Sequence, residues 1–124
     1  MLFDKTLTFF ENAEETLLDA AVPAVLTGGS DYSRTFIAAT LPEGLESLTL
    51  TVKTAEEEDG EYTTIATKTS TDLELAAGLM AIPTPLELGK YTKVVPTVAG
   101  EPAKGIDCGI TDAVPNGILA DFGL

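Results

Sequence analysis

The chain has 124 residues, a hydrophobic fraction of 44% and an aromatic fraction of only 6%, so it is one domain whose core must be built from Leu, Val, Ile and Ala. Twenty acidic residues against seven basic ones give a net charge of −13, which repels phosphate backbones and anionic membrane surfaces and argues against nucleic-acid or membrane binding. With no histidine and a single cysteine, the chain lacks the usual general base near neutral pH, has no Ser-His or Cys-His nucleophile pair, and cannot form an intrachain disulfide.

Residues 1–11 carry Leu2, Phe3, Leu7, Phe9 and Phe10 and read as an extended N-terminal arm or first strand. The start, Met1-Leu2-Phe3-Asp4-Lys5, lacks the basic start, apolar run and cleavage site of a secretory signal, so the expectation is a protein made and used without export. Residues 12–22 are open between two states. Asn12 followed by Glu15 is a capping-box pattern that suits a short helix ended by Pro23, and a strand near 16–22 fits the same apolar run. A short strand at 23–26 is closed by Thr27-Gly28-Gly29-Ser30-Asp31. No Gly-Lys-Ser/Thr follows Gly29, so this is a turn and not a phosphate loop. Residues 32–40, centred on Phe36 and Ile37, form the next expected strand, and Leu41-Pro42-Glu43-Gly44 turns the chain.

The most informative stretch is 45–69. Leu48, Leu50 and Val52 alternate with Thr49, Thr51 and Lys53, the period-2 pattern of a strand with one dry and one wet face. An acidic turn containing Glu56, Glu57, Glu58, Asp59, Gly60 and Glu61 leads into a Thr-rich return strand with Tyr62 and Ile65, which predicts a β-hairpin. Ser70-Thr71-Asp72 turns the chain again. Leu73 and Leu75 open a segment broken at Gly78, and Leu79-Met80-Ala81-Ile82 reads as a buried strand stopped by Pro83 and Pro85. Residues 91–98 are a clear strand in which Pro96 demands an edge or a bulge. Ile106, Cys108 and Ile110 alternate with Asp107, Gly109 and Thr111 in a last, half-buried strand. From Val114 a tail carries Ile118, Leu119, Phe122 and Leu124. About eight short strands, punctuated by eleven glycines and seven prolines, predict an all-β antiparallel sandwich, jelly-roll-like, with extended terminal arms over 1–11 and 114–124. The predicted core is Leu48, Leu50, Val52, Ile65, Ile106, Cys108 and Ile110.

Little in this pattern carries chemistry. A paired-carboxylate glycosidase would need a cleft with aromatic platforms, and the chain has three tyrosines and no tryptophan. The acidic turn at 56–61 invites a calcium reading, but it lacks the Asp-x-Asp-x-Asp-Gly spacing and reads better as a solvated tip. Cys108, between two isoleucines of the same face, is a buried structural cysteine with no basic neighbour to activate it. No catalytic residue, cofactor or metal is therefore expected. The apolar ends are the better functional candidates. At about 25 cal/mol per Å² of buried apolar area, Phe3, Phe9, Phe10, Ile118, Leu119 and Phe122 would contribute several kcal/mol to docking on a partner.

The opening MLFDKTLTFFENAEETL, the central LTLTVKTAEEEDGEYTTIAT and the late YTKVVPTVAGEPAKGIDCGITD together resemble the jelly-roll capsid cement (decoration) proteins of tailed bacteriophages. The elements that carry the resemblance are residues 48–54, 62–64, 91–98 and 109–112, most of the domain; 12–40 and the tail match less clearly. The resemblance implies a non-enzymatic virion protein, made in the host cytoplasm and placed on the capsid exterior. Such a protein forms a homo-oligomer, a dimer or trimer, and clamps neighbouring major capsid subunits. Two other readings stay open, another phage structural part such as a tail or head-tail component, and a carbohydrate-binding jelly-roll module.

Overall fold

The structure is a computed structural model that describes residues 8–17, 22–27, 35–85 and 88–111. Eight strands lie in two antiparallel four-stranded sheets: β1 (Thr8–Ala13), β2 (Val25–Leu26), β3 (Phe36–Thr40), β4 (Leu45–Ala55), β5 (Thr63–Thr69), β6 (Leu79–Pro83), β7 (Tyr91–Gly100) and β8 (Ile106–Thr111), with one short helix, α1 (Asp72–Ala77). One sheet has the order β1-β8-β3-β6 and the other β2-β7-β4-β5. Each strand of the first half of the chain is paired with its mirror partner from the second half: β1 with β8, β2 with β7, β3 with β6 and β4 with β5.

The alternation in β4 drives this arrangement. Leu48, Leu50 and Val52 are fully buried, and together with Val94 of β7 they meet Phe9, Phe10, Ile37, Met80, Ile82, Ile106, Cys108 and Ile110 of the other sheet in one core. The all-β sandwich expected from the sequence is the observed architecture, and six of the seven predicted core residues are buried. Ile65 is half-buried and packs against the core margin, because a bulge between Val52 and Lys53 shifts its strand's register there. A second small cluster, Ala38, Leu79 and Ala81 with half-buried Phe36, lies apart from the main core. Gly109 and Thr111 are also buried, so the expected wet face of β8 is dry at its end.

Four local readings need correction. Residues 8–13 are strand β1, paired to β8, so the N-terminal arm expected over 1–11 does not include them; residues 1–7 and the tail 114–124 lie outside the described residues. Phe9 and Phe10 are 0% and 5% exposed, core residues rather than docking residues, because the pairing of β1 with β8 brings both rings into the core cluster shared by the two sheets. Asn12 does not cap a helix: it lies in β1 with φ 59°, a left-handed conformation that asparagine tolerates, where the pairing with β8 is irregular. The helix lies instead at 72–77. Thr71 accepts a hydrogen bond from the Glu74 N–H while the Glu74 side chain accepts one from the Thr71 N–H, a reciprocal capping box. Gly78 ends it at φ 79°, donating to the carbonyls of Glu74 and Leu75, a conformation that disfavours any side chain with a Cβ.

Pro96, for which the sequence allows an edge or a bulge, lies in β7, an interior strand of its sheet, at a level that two-residue β2 does not reach. It stands opposite Leu50 of β4, but its backbone carbonyl accepts from Leu17 and the neighbouring Val98 N–H is bonded to Thr16. The backbone groups of this parity therefore point away from β4, on the side where two-residue β2 has already ended. A missing N–H there removes no ladder bond.

Because Leu50 is fully enclosed, Leu50→Ala should lower stability by about 2–5 kcal/mol in urea unfolding. Thr67→Ala, at an exposed position, should change it by less than about 0.5 kcal/mol. Equal effects of the two substitutions would contradict this placement of the core.

Candidate docking surface

Three features were open from the sequence: the cysteine, the acidic turn and the apolar ends. Cys108 is fully buried in β8, and burial pushes its thiol far above the usual range because the thiolate would be desolvated. The acidic turn is tied by its own backbone: the Gly60 N–H donates to the Glu57 carbonyl at 3.0 Å and the Tyr62 hydroxyl to the Glu58 carbonyl at 2.7 Å. Glu56, Glu57, Glu58 and Asp59 are all exposed. Among the described residues no group of three or more Cys, Asp or Glu is arranged to hold a metal ion. Of the six candidate docking residues, Phe9 and Phe10 belong to the core, while Phe3, Ile118, Leu119 and Phe122 lie outside the described residues.

One buried charged cluster escaped the sequence reading. Glu74 on α1 is fully buried. Its carboxylate accepts from the Thr71 N–H, from the Ala81 N–H and from the Lys68 ammonium, each at 3.0 Å. Lys68 also donates to the Ala81 carbonyl at 3.0 Å. Lys68 stands opposite Leu50, so it shares the inward face of β5. Ala81 belongs to β6, the edge strand of the other sheet. The pair therefore joins α1 to both edge strands and occupies the outward N–H and C=O of Ala81, groups that an open edge would offer to a foreign strand. The capping signature Thr71-x-x-Glu74 and a lysine inside an otherwise uncharged strand were the legible signals. The arrangement holds structure together.

The surfaces left for binding are set by where the acids lie. Strands β5 and β7 contain no acidic residue, and β4 contains only Glu46 at its start. The outward face of β7-β4-β5 carries rows of facing residues: Thr97, Thr49 and Thr69; Val95, Thr51 and Thr67; Lys93, Lys53 and Thr64. The Thr49 and Thr69 hydroxyls are hydrogen-bonded to each other at 2.8 Å. Lys93 lies 4.8 Å from the centre of the Tyr62 ring, a cation–π distance. Beside them Leu26 of β2, opposite Tyr91, is 58% exposed. At the far end of β4 and β7, an open hollow of about 610 Å³ is lined by Gly44, Glu46, Gly100 and Glu101. No helix among the described residues is long and apolar enough to cross a membrane.

No protein-family model matches the chain, and no curated protein matches it either.

Removing the ammonium alone should expose the cost of the buried carboxylate. Lys68→Met should destabilise toward the lower end of roughly 3–5 kcal/mol, since Lys68 keeps some solvent contact. The double variant Lys68→Met/Glu74→Gln should recover part of that loss in urea unfolding, because the uncompensated charge is gone. In the native protein Cys108 should resist iodoacetamide and react only after unfolding; labelling at the rate of a free thiol would contradict its burial.

Proposed function

We propose that this chain is a structural virion protein of the capsid cement (decoration) class, which binds the outside of a tailed-phage capsid and stabilises the contacts between major capsid subunits. It is a jelly roll without catalytic activity, acts as a homo-oligomer, and needs no cofactor. The observation that carries this reading is the mirror pairing of the strands, β1 with β8, β2 with β7, β3 with β6 and β4 with β5. That is the order produced when one long antiparallel ribbon rolls into two facing sheets, the double Greek key of a jelly roll. The segments that carry the sequence resemblance supply β4, the start of β5, β7 and the end of β8, elements that pair with one another or line the same core.

The physical chemistry suits that role. A protein that binds only the assembled lattice stabilises that state by mass action, and many weak contacts repeated on a lattice add up through avidity. The net charge of −13 keeps free copies apart and soluble before they dock. Two facing four-stranded sheets, joined at the β5–β6 seam by the Glu74, Lys68 and Ala81 bonds, give a stiff body, so binding orders little of the sandwich that was not already ordered.

The test is direct. Purified protein is added to expanded, undecorated shells of the major capsid protein encoded in the same genome, and bound copies and shell melting temperature are measured. Saturable binding in a fixed ratio to capsid subunits, with a rise in shell melting temperature, is expected. Deleting residues 116–124 should weaken binding more than it lowers the melting temperature of the isolated domain. Absence of binding to such shells would sink the cement reading, and unchanged binding by the truncated protein would remove the tail from the docking surface.

A further inference from the structure

We infer that α1 is a latch over a self-pairing strand: when the side chains of Glu74 and Lys68 let go of Ala81, β6 pairs antiparallel with β6 of a second copy, about a two-fold axis at Ala81. The inference starts from which backbone groups of β6 face outward. The Leu41 N–H donates to the Gly78 carbonyl and the Thr84 N–H to the Thr35 carbonyl, so the even-numbered residues of this stretch turn their backbone groups toward β3. Leu79, Ala81 and Pro83 therefore turn theirs to the outer edge. The Ala81 N–H donates to the Glu74 carboxylate and the Ala81 carbonyl accepts from the Lys68 ammonium, each at 3.0 Å. Pro83 is exposed and has no N–H to offer.

The latch is local. A helix of six residues is far shorter than the roughly 12–15 that hold together unaided in water. It keeps its shape through the Thr71 cap, Gly78 and the bonds of Glu74. Neither the β3-β6 ladder nor the β4-β5 ladder includes a residue of α1, so the helix can lift while both sheets stay paired, at less cost than unfolding the core.

What β6 then offers fits itself. With the axis at Ala81 the two strands overlap over their whole length: Ala81 faces Ala81, Leu79 faces Pro83 and Met80 faces Ile82. The two Ala81 residues exchange N–H···O=C bonds, and each Leu79 N–H meets a Pro83 carbonyl. Every outward N–H of the strand has an acceptor, and only the Leu79 carbonyls are left over, groups that tolerate this better than donors do. The sequence of β6, LMAIP, has no charge, so no like charges face each other across the pair. The sheet β1-β8-β3-β6 continues into its copy through an isologous contact. The net charge of −13 elsewhere on the chain opposes the approach of two copies, so the pairing strengthens with salt. None of this depends on the capsid reading, since only copies of this chain take part.

Lys68→Ala/Glu74→Ala frees both groups of Ala81 without leaving a buried charge. In sedimentation equilibrium this variant should dimerise at a concentration at least about tenfold below any self-association of the natural chain, and more tightly at high salt. Register is read with cysteines placed in that background. A mixture of Leu79→Cys and Pro83→Cys chains should form a mixed disulfide, since these positions lie about 5.5 Å apart across the pair. Neither chain alone should crosslink through its new cysteine, because like positions are about 14 Å apart along the strands. Adding Ala81→Pro should abolish the dimer, whereas the stickiness of a damaged fold would survive it. In the natural chain, with no variant to fold, the Ala81 N–H should exchange with solvent by local opening, faster than the amides of β3. A released chain that associates no better than the natural one at millimolar concentration, crosslinking that favours like positions, a dimer that survives Ala81→Pro, or an Ala81 N–H that exchanges only on global unfolding would each overturn the inference.

Discussion

The carboxylate of Glu74 closes the sandwich. Two stacked sheets leave an open seam wherever their edge strands end, and here the seam lies between β5 and β6. A six-residue helix fills it, and its one buried acid reaches the Ala81 N–H of one sheet and the Lys68 ammonium of the other. A lone buried carboxylate would be strongly unfavourable. This one is tolerated because three donors surround it, and no buried side-chain polar atom among the described residues is left without a partner. The cost of desolvating both charges means the pair contributes more to specificity of the edge than to net stability. It fixes which strands lie beside each other at the seam, and it blocks the backbone of Ala81 from pairing with another chain.

That edge protection and the charge distribution act together. Acidic side chains are gathered in the turns, at Glu43, Glu56, Glu57, Glu58, Asp59, Glu61 and Glu101, while the sheet formed by β2, β7, β4 and β5 is nearly free of them. Edge-to-edge association is resisted by an inward lysine in β5 and by side chains bonded to β6, both devices that natural sheets use against aggregation. Repulsion between turns keeps copies from meeting at random. Between the turns, the outward face of β7-β4-β5 carries threonines, Val95 and the facing pair Lys53 and Lys93.

Burial also reassigned the aromatic residues. Phe9 and Phe10 lie in an apolar, charge-poor N-terminal stretch, the composition of a docking arm, and the same composition serves equally well in a core strand. Once β1 pairs with β8, the two rings have a full complement of neighbours in their own domain. An apolar terminal segment identifies hydrophobic area that must be covered; it does not say by which chain.

Much of the fold was legible because period-2 alternation is a local property. Leu48, Leu50 and Val52 declare one face of β4, and Ile106, Cys108 and Ile110 declare one face of β8, whichever strands lie beside them. Gly and Pro placed the turns, and the missing N–H of Pro96 marked a level at which β7 has no β2 beside it. Three things were decided only by tertiary structure. The capping residues Thr71 and Glu74 became a helix rather than part of a turn because a buried partner, Lys68, was there to neutralise the acid. The dry end of β8 and the buried Ala38 reflect packing on a face that alternation had marked as wet or left unmarked. The rows of Thr49 with Thr69 and Thr97, and of Lys53 with Lys93, exist only through strand register. Sequence fixes which way a side chain points from its own strand, whereas its cross-strand neighbours are set by long-range pairing that no local pattern encodes.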